Sequence, residues 1–317
     1  MAPGGSVFRA RQLTVDDLPA CRRVLQWEGV DPAQLPDERV QRWVLARGCG
    51  VSAAFERDGP APARQLVGFG CTAFVGAAFA EEAKRLAAAG RAHEIVERLN
   101  AGEGLLGAHE IAAQNGGVGL AALMFGGRAD AVLSPAERLE VGRSIWRVLL
   151  HAHAGYNIRD VMLLAAGREN KQYMEAANLH RYSDPATPLQ LFGLSRADVE
   201  RRPGGMMDLL FDYRPPRLAL SEGQRELLAL ALNEGLSDEA LASRLGVSPA
   251  AVKKRWRAIY AAVARAAPGL LPADAGEGKR GPEKRSVLLE YVRAHPSELR
   301  AHLHPRGRAA TRVARRA

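Results

Sequence analysis

Residues 221–264 read SEGQRELLALALNEGLSDEALASRLGVSPAAVKKRWRAIYAAVA. Ser221 followed three residues later by Gln224 fits a capping box, which opens a helix. Leu227, Leu228, Ala231 and Leu232 recur at helical spacing and make one apolar stripe. Gly235 supplies the left-handed residue that stops such a helix. Ser237 caps a second, short helix over 238–245, with Leu241 and Leu245 turned inward. Gly246 follows directly, and Ser248 with Pro249 opens a third helix. A short helix, a tight turn at Gly246-Val247-Ser248 and a longer helix is the helix-turn-helix plan. Its last helix is the element that enters the major groove.

On that last helix Val252, Trp256, Ile259, Tyr260 and Val263 share an inward stripe. Lys253, Lys254, Arg255 and Arg257 fall mainly off it. Four cations within five residues suit phosphates and guanine edges. A solvated basic face on an ordinary three-helix core is the competing reading. The run sits on the third helix, just after the turn, and that placement favours DNA. The expected DNA-binding residues are Ser248, Lys253, Lys254, Arg255 and Arg257.

Residues 218–264 resemble the LuxR-type helix-turn-helix domain of bacterial regulators. The likeness is carried by Leu220, Arg225, Glu226, Leu228, Gly235, Leu236, Ala240, Leu245, Gly246, Val247, Ser248, Val252, Lys253, Ile259 and Tyr260. The resemblance implies that Lys253, Lys254 and Arg257 reach bases and that Arg255 touches the DNA backbone. Region 4 of sigma factors has a similar core, so a sigma-like factor that binds RNA polymerase stays open. The fourth helix of the LuxR type usually follows closely. Here it is displaced by the loop at 265–282. A helix returns over Glu283–His295, with Val287, Leu288, Tyr291 and Val292 on one face. That segment is expected to pack on the helix-turn-helix or to form a dimer contact.

Charge follows the same division. The chain of 317 residues carries a net charge of +9, and residues 221–317 account for +8 of it. A near-neutral body joined to a basic end is the layout of a sensor or scaffold attached to a nucleic-acid binder. The N-terminal residues lack the apolar core of a secretion signal, and no apolar run reaches membrane-spanning length. A cytoplasmic protein with no membrane partner is expected. Cys21, Cys49 and Cys71 match no zinc spacing and read as reduced core thiols.

Residues 7–213 read as mixed α/β. Strands are expected at Val7–Leu13, Gly50–Arg57, Leu66–Val75, Val118–Phe125, Val161–Ala165 and Met206–Tyr213. Helices are expected at Asp16–Glu28, Asp37–Arg47, Ala80–Asn100, Pro135–Ala154 and Glu169–Ala177, the third open to splitting at Ala87–Gly90. Asp16 and Ser134 stand as N-caps. Pro215 and Pro216 mark a linker. The expected layout is an α/β domain over 1–213, a linker over 214–219, the helix-turn-helix domain with its extra helix over 220–304, and a disordered basic tail over 305–317. The fold class is therefore α+β, an N-terminal mixed domain with a C-terminal all-α domain.

The opening FRARQLTVDDLPACRRVL, the stretch LVGFGCTAFV, and the segment 161–182 with Asn170, Tyr173 and Leu179 resemble the GNAT acetyltransferase fold. In that family a strand runs into a glycine-rich turn whose N–H groups cradle the pyrophosphate of acetyl-CoA. Here Gly126, Gly127 and Arg128 follow the expected strand at the wrong spacing, and Gly116, Gly117 and Gly119 precede it. A GNAT-like domain without catalysis or cofactor is expected, serving to sense a small-molecule effector or to mediate homodimer assembly. The alternative is an active acyl-CoA-dependent N-acetyltransferase fused to a DNA-binding module. A phosphorylated receiver domain does not fit, because no apolar strand precedes Asp16 and Asp17. Trp27 and Trp43 sit on helical patterns and read as core rather than as an acyl-lactone pocket. His151 and His153 are two apart and point to different helix faces.

Overall fold

The computed structural model describes residues 8–11, 13–25, 50–57, 65–129, 133–166, 171, 174–175, 179–272 and 281–302. The expected helices over 37–47 and most of 169–177 lie outside these residues, as do Trp27, Trp43, Cys49 and the tail from 305. The chain divides into two units. One spans residues 1–153 and 157–211, and the other residues 154–156 and 212–317.

The first unit is built on a sheet whose described strands are β1 (Phe8–Arg11), β2 (Gly50–Arg57), β3 (Leu66–Val75), β4 (Leu120–Ala129), β5 (Ile158–Ala166), β6 (His180–Arg181) and β7 (Leu189–Ser195). Their spatial order is β1-β2-β3-β4-β5-β7-β6. Pairing is antiparallel throughout except at β4 and β5, which run parallel. The helices are α1 (Leu18–Leu25), α2 (Ala77–Ala88), α3 (Ala92–Asn100), α4 (Ala108–Asn115), α5 (Pro135–His153) and α6 (Arg196–Arg201).

Strand periodicity sends alternate side chains to opposite faces. On β2, Ala54 joins a core with Cys21 of α1, Phe79 and Leu86 of α2, and Ile95 and Leu99 of α3. Its neighbours Ala53 and Phe55 join the other core, with Val67, Leu133 and Val141 of α5. Helices thus cover both faces. The expected long helix is split, as the sequence allowed, where Gly90 adopts φ +76°. Cys21 and Cys71 are buried free thiols. Burial pushes the Cys21 thiol up to about 12.

Several elements differ from expectation. Residues 206–210 form a 3-10 turn instead of a strand. The Asp208 carboxylate accepts the N–H groups of Gly204 and Gly205 at 2.6 and 3.0 Å, which closes the turn locally. Strand β7 and helix α4 were not anticipated. β7 is buried from Leu189 to Gly193 and shows no polar alternation. Asp16 is not the cap of α1. It lies inside a 3-10 turn over Val15–Asp17, and Asp17 of that turn reaches back to the residue before it, accepting Thr14 N–H at 2.7 Å and Thr14 Oγ1–H at 2.9 Å, as the third residue of a capping box does. Ser134 does cap α5: its hydroxyl accepts Glu137 N–H at 3.3 Å, and Glu137 Oε2 accepts Ser134 N–H at 2.8 Å.

The second unit is all-helical in its described elements: α7 (Glu222–Glu234), α8 (Asp238–Leu245), α9 (Pro249–Ala266) and α10 (Gly281–Ala294), then a 3-10 turn over Pro296–Leu299. The mixed α/β unit with an all-α helix-turn-helix unit is the fold class expected from sequence. Leu218, inside the expected linker, is fully buried and belongs to the core of this unit. No helix among the described residues is long and apolar enough to cross a membrane.

Candidate nucleic-acid interface

Local chemistry fixes the turn between α8 and α9. Gly246 takes φ +64°, in the left-handed region that a Cβ disfavours. That conformation lets Val247 N–H reach Ala242 O at 3.0 Å and Gly246 N–H reach Ser243 O at 3.2 Å. These two bonds satisfy the last carbonyls of α8. Ser248 Oγ then accepts Ala251 N–H at 3.2 Å, and Pro249 stands in the first turn of α9. Ser237 Oγ does the same for α8, accepting Ala240 N–H at 3.3 Å. Ser248 is exposed, so its hydroxyl hydrogen remains available to an outside acceptor.

The inward stripe of α9 is as expected: Val252, Trp256, Ile259 and Val263 are buried with Leu227, Leu228 and Leu241. Lys253, Lys254 and Arg257 are exposed together on the other side. Arg255 departs from them. It is half-buried, and its guanidinium packs over the first turn of α7, where a Cβ built on Gly223 would lie 3.4 Å from Arg255 Cζ. Its Nη1 is buried and has no hydrogen-bond partner among the described residues. The absence of a side chain at Gly223 leaves room for this, so Arg255 is turned from the open face on which the sequence placed it.

The segment beyond α9 supplies groups that the helix-turn-helix pattern did not reveal. Leu288 and Val292 of α10 are fully buried in the core of the unit. This is the packing alternative expected for that segment. Arg285 Nη1 donates to Asp238 Oδ1 at 3.1 Å and its Nη2 to Leu236 O at 2.6 Å. The same guanidinium lies 4.8 Å from the Trp256 ring. Trp256 Nε1–H also donates to Asp238 Oδ1, at 3.2 Å. Farther on, buried Glu298 accepts Arg217 N–H and Leu218 N–H, each at 2.9 Å, and the Tyr291 hydroxyl at 3.0 Å. Burial and the Glu298 charge push the Tyr291 phenol up to about 12. Nothing in the sequence pairs Arg285 with Trp256, or Glu298 with Leu218. Only the apolar face of α10 hinted that the segment docks.

In the α/β unit the parallel ladder of β4 and β5 ends at Met124 and Leu163. Beyond it β4 continues against β3, and β5 against β7. Gly126, Gly127 and Arg128 therefore lie within β4, which extends to Ala129, and not in a turn after it. Residues 130–134 read DAVLS, with neither glycine nor lysine or arginine. The first turn of α5 already carries a carboxylate. Glu137 accepts the Ser134 N–H and hydroxyl, which hold its carboxyl below the usual range. A charged carboxylate at this helix start opposes a second anion there.

A family model described as ECF sigma factor matches residues 216–268. No curated protein matches the chain. Among solved structures, the chain is similar to FeeM, an N-acyl amino acid synthase from uncultured soil microbes. Identity there is 14%, over 65% of this chain and 98% of that one, with a TM-score of 0.37. It is also similar to a Drosophila melanogaster polyamine N-acetyltransferase, at 14% identity over 59% and 99% of the two chains and a TM-score of 0.35. A third is an acetyltransferase from Thermus thermophilus, at 11% identity over 60% and 97% and a TM-score of 0.32.

Proposed function

We propose that the chain is a sequence-specific DNA-binding transcription regulator that reads duplex DNA with α9. One observation carries the reading: Lys253, Lys254 and Arg257 stand exposed on one side of the helix after the Gly246 turn, while Val252, Trp256 and Ile259 fix its other side in the core. Such a face neutralises phosphates and reaches base edges. The measurement is binding of the full chain to a labelled duplex across a salt series. Affinity falls steeply with salt, because each neutralised phosphate releases counterions. Salt-independent binding, or none, overturns the reading.

The match of residues 216–268 to ECF sigma factors supports a sigma-like variant of this reading, in which core RNA polymerase is the partner. Co-purification with core polymerase distinguishes it from a LuxR-type regulator. We assign the α/β unit a GNAT-like, non-catalytic role in effector sensing or homodimer assembly. The glycine-free connection and Glu137 in the first turn of α5 support that assignment. Calorimetry with acetyl-CoA, followed by a transfer assay on simple amines, tests it. Acetyl transfer overturns it in favour of the fused acetyltransferase.

A further inference from the structure

We propose that Arg285 is a positioning residue for the recognition helix, so that the segment after the helix-turn-helix sets how well α9 meets DNA; the inference rests on the DNA-binding reading. One guanidinium touches three parts of the motif. It bonds the carbonyl of Leu236 before α8, the carboxylate of Asp238 at the start of α8, and the face of Trp256 on α9. Asp238 in turn accepts the Trp256 indole N–H, which closes the set. The Trp256 and Tyr260 rings stack with centroids 5.9 Å apart, extending it along α9.

Trp256 lies three residues after Lys253 and one before Arg257. Any roll of α9 that moves its ring also swings those cations. The angle between α8 and α9 is what a helix-turn-helix presents to the groove. Arg285 and Asp238 bridge that pair with about three-quarters of each side chain shielded, at 24% and 26% exposure. Shielding strengthens such an ion pair relative to a surface one. A lysine supplies one point charge and cannot offer two directed N–H groups while lying flat on an indole.

The test uses the full chain with three variants: Arg285→Ala, Arg285→Lys and Val292→Ala. Val292 is a core residue of the same helix and reports loss of packing alone. Thermal midpoints are measured first. Duplex affinity is then measured at a temperature where every variant is folded. Without DNA, NMR follows the Trp256 indole N–H, assigned with Trp256→Phe, and the amides of Lys253, Lys254 and Arg257. Arg285→Ala is expected to weaken binding roughly five-fold and to shift these signals. Arg285→Lys recovers only part of the loss. Val292→Ala lowers the midpoint but binds within about two-fold of the parent. Parent-like binding by Arg285→Ala, or an equal loss in Val292→Ala, overturns the inference. If the parent chain binds no duplex, the DNA reading falls by itself, and the NMR comparison alone decides whether Arg285 sets α9.

Discussion

The Glu298 carboxylate accepts the backbone N–H of Leu218 at 2.9 Å, across 80 residues of sequence. The same carboxylate takes the N–H of Arg217 and the hydroxyl of Tyr291. Glu298 is 1% exposed and Leu218 fully buried, so water cannot replace the bond. Glu298→Ala leaves a buried donor unpaired and opens a void. The expected loss is about 2–4 kcal/mol from the helical unit. Urea unfolding of the parent and variant checks this, and an unchanged midpoint would show that the entry into α7 is held by apolar packing alone.

Trp256 links stability to the recognition helix. Trp256→Ala removes a buried indole and is expected to cost about 3–5 kcal/mol. Trp256→Phe keeps most of the packing but loses the bond to Asp238, at a cost of about 1 kcal/mol. Both variants are compared by thermal unfolding. Loss of DNA binding by Trp256→Ala without loss of stability would mean that the ring faces DNA rather than the core.

Arg255 and Arg257 are two residues apart yet differently placed. Arg257 is exposed, whereas Arg255 lies over Gly223. Arg257→Ala and Lys253→Ala are each expected to cost about 1–3 kcal/mol on a specific site and to relax sequence preference. Arg255→Ala is expected to change duplex affinity by less than either. Titrations against one duplex rank the three. An Arg255 effect as large as that of Arg257 would require its guanidinium to leave Gly223 in the complex.

Residues 221–264 were legible because each signal in them is local. Ser237, Gly246, Ser248 and Pro249 act within one turn of themselves, and the apolar stripe of α9 is a matter of period. The inward turn of Arg255 was not legible, since it depends on a missing side chain at Gly223, 32 residues away. The bonds of Arg285 and Glu298 are longer-range still. In the α/β unit the split at Gly90 and the cap at Ser134 could be read for the same local reason. The end of β4 could not: Gly126 and Gly127 look like a turn, but pairing with β3 carries the strand through to Ala129. Tertiary pairing overrides the glycine signal there.

The start of the α/β unit makes a pH-dependent prediction. Arg11 donates to both Asp17 oxygens, Nη1 to Oδ2 at 2.7 Å and Nη2 to Oδ1 at 2.6 Å. Thr14 adds its N–H and hydroxyl. The Arg11 bonds first, then those from Thr14, hold the Asp17 carboxyl below its ordinary 3.8, against the opposing effect of burial. A carboxyl depressed in the folded state contributes stability that is fully present above its unfolded value and is lost as pH falls through the folded one. Asp17→Asn should therefore lower the urea midpoint of the α/β unit near neutral pH. The gap to the parent should begin to narrow as pH falls below about 3.8, where the unfolded parent chain takes up the Asp17 proton first, and should close only once the folded carboxyl, held lower, is protonated as well. Arg11 also bonds Glu56 of β2 through Nε at 2.9 Å, so it keeps a partner in the variant, and the effect reports Asp17 and not the release of Arg11. A gap that stays constant from neutral to acid pH would place the role of Asp17 in the geometry of the turn instead of in its charge.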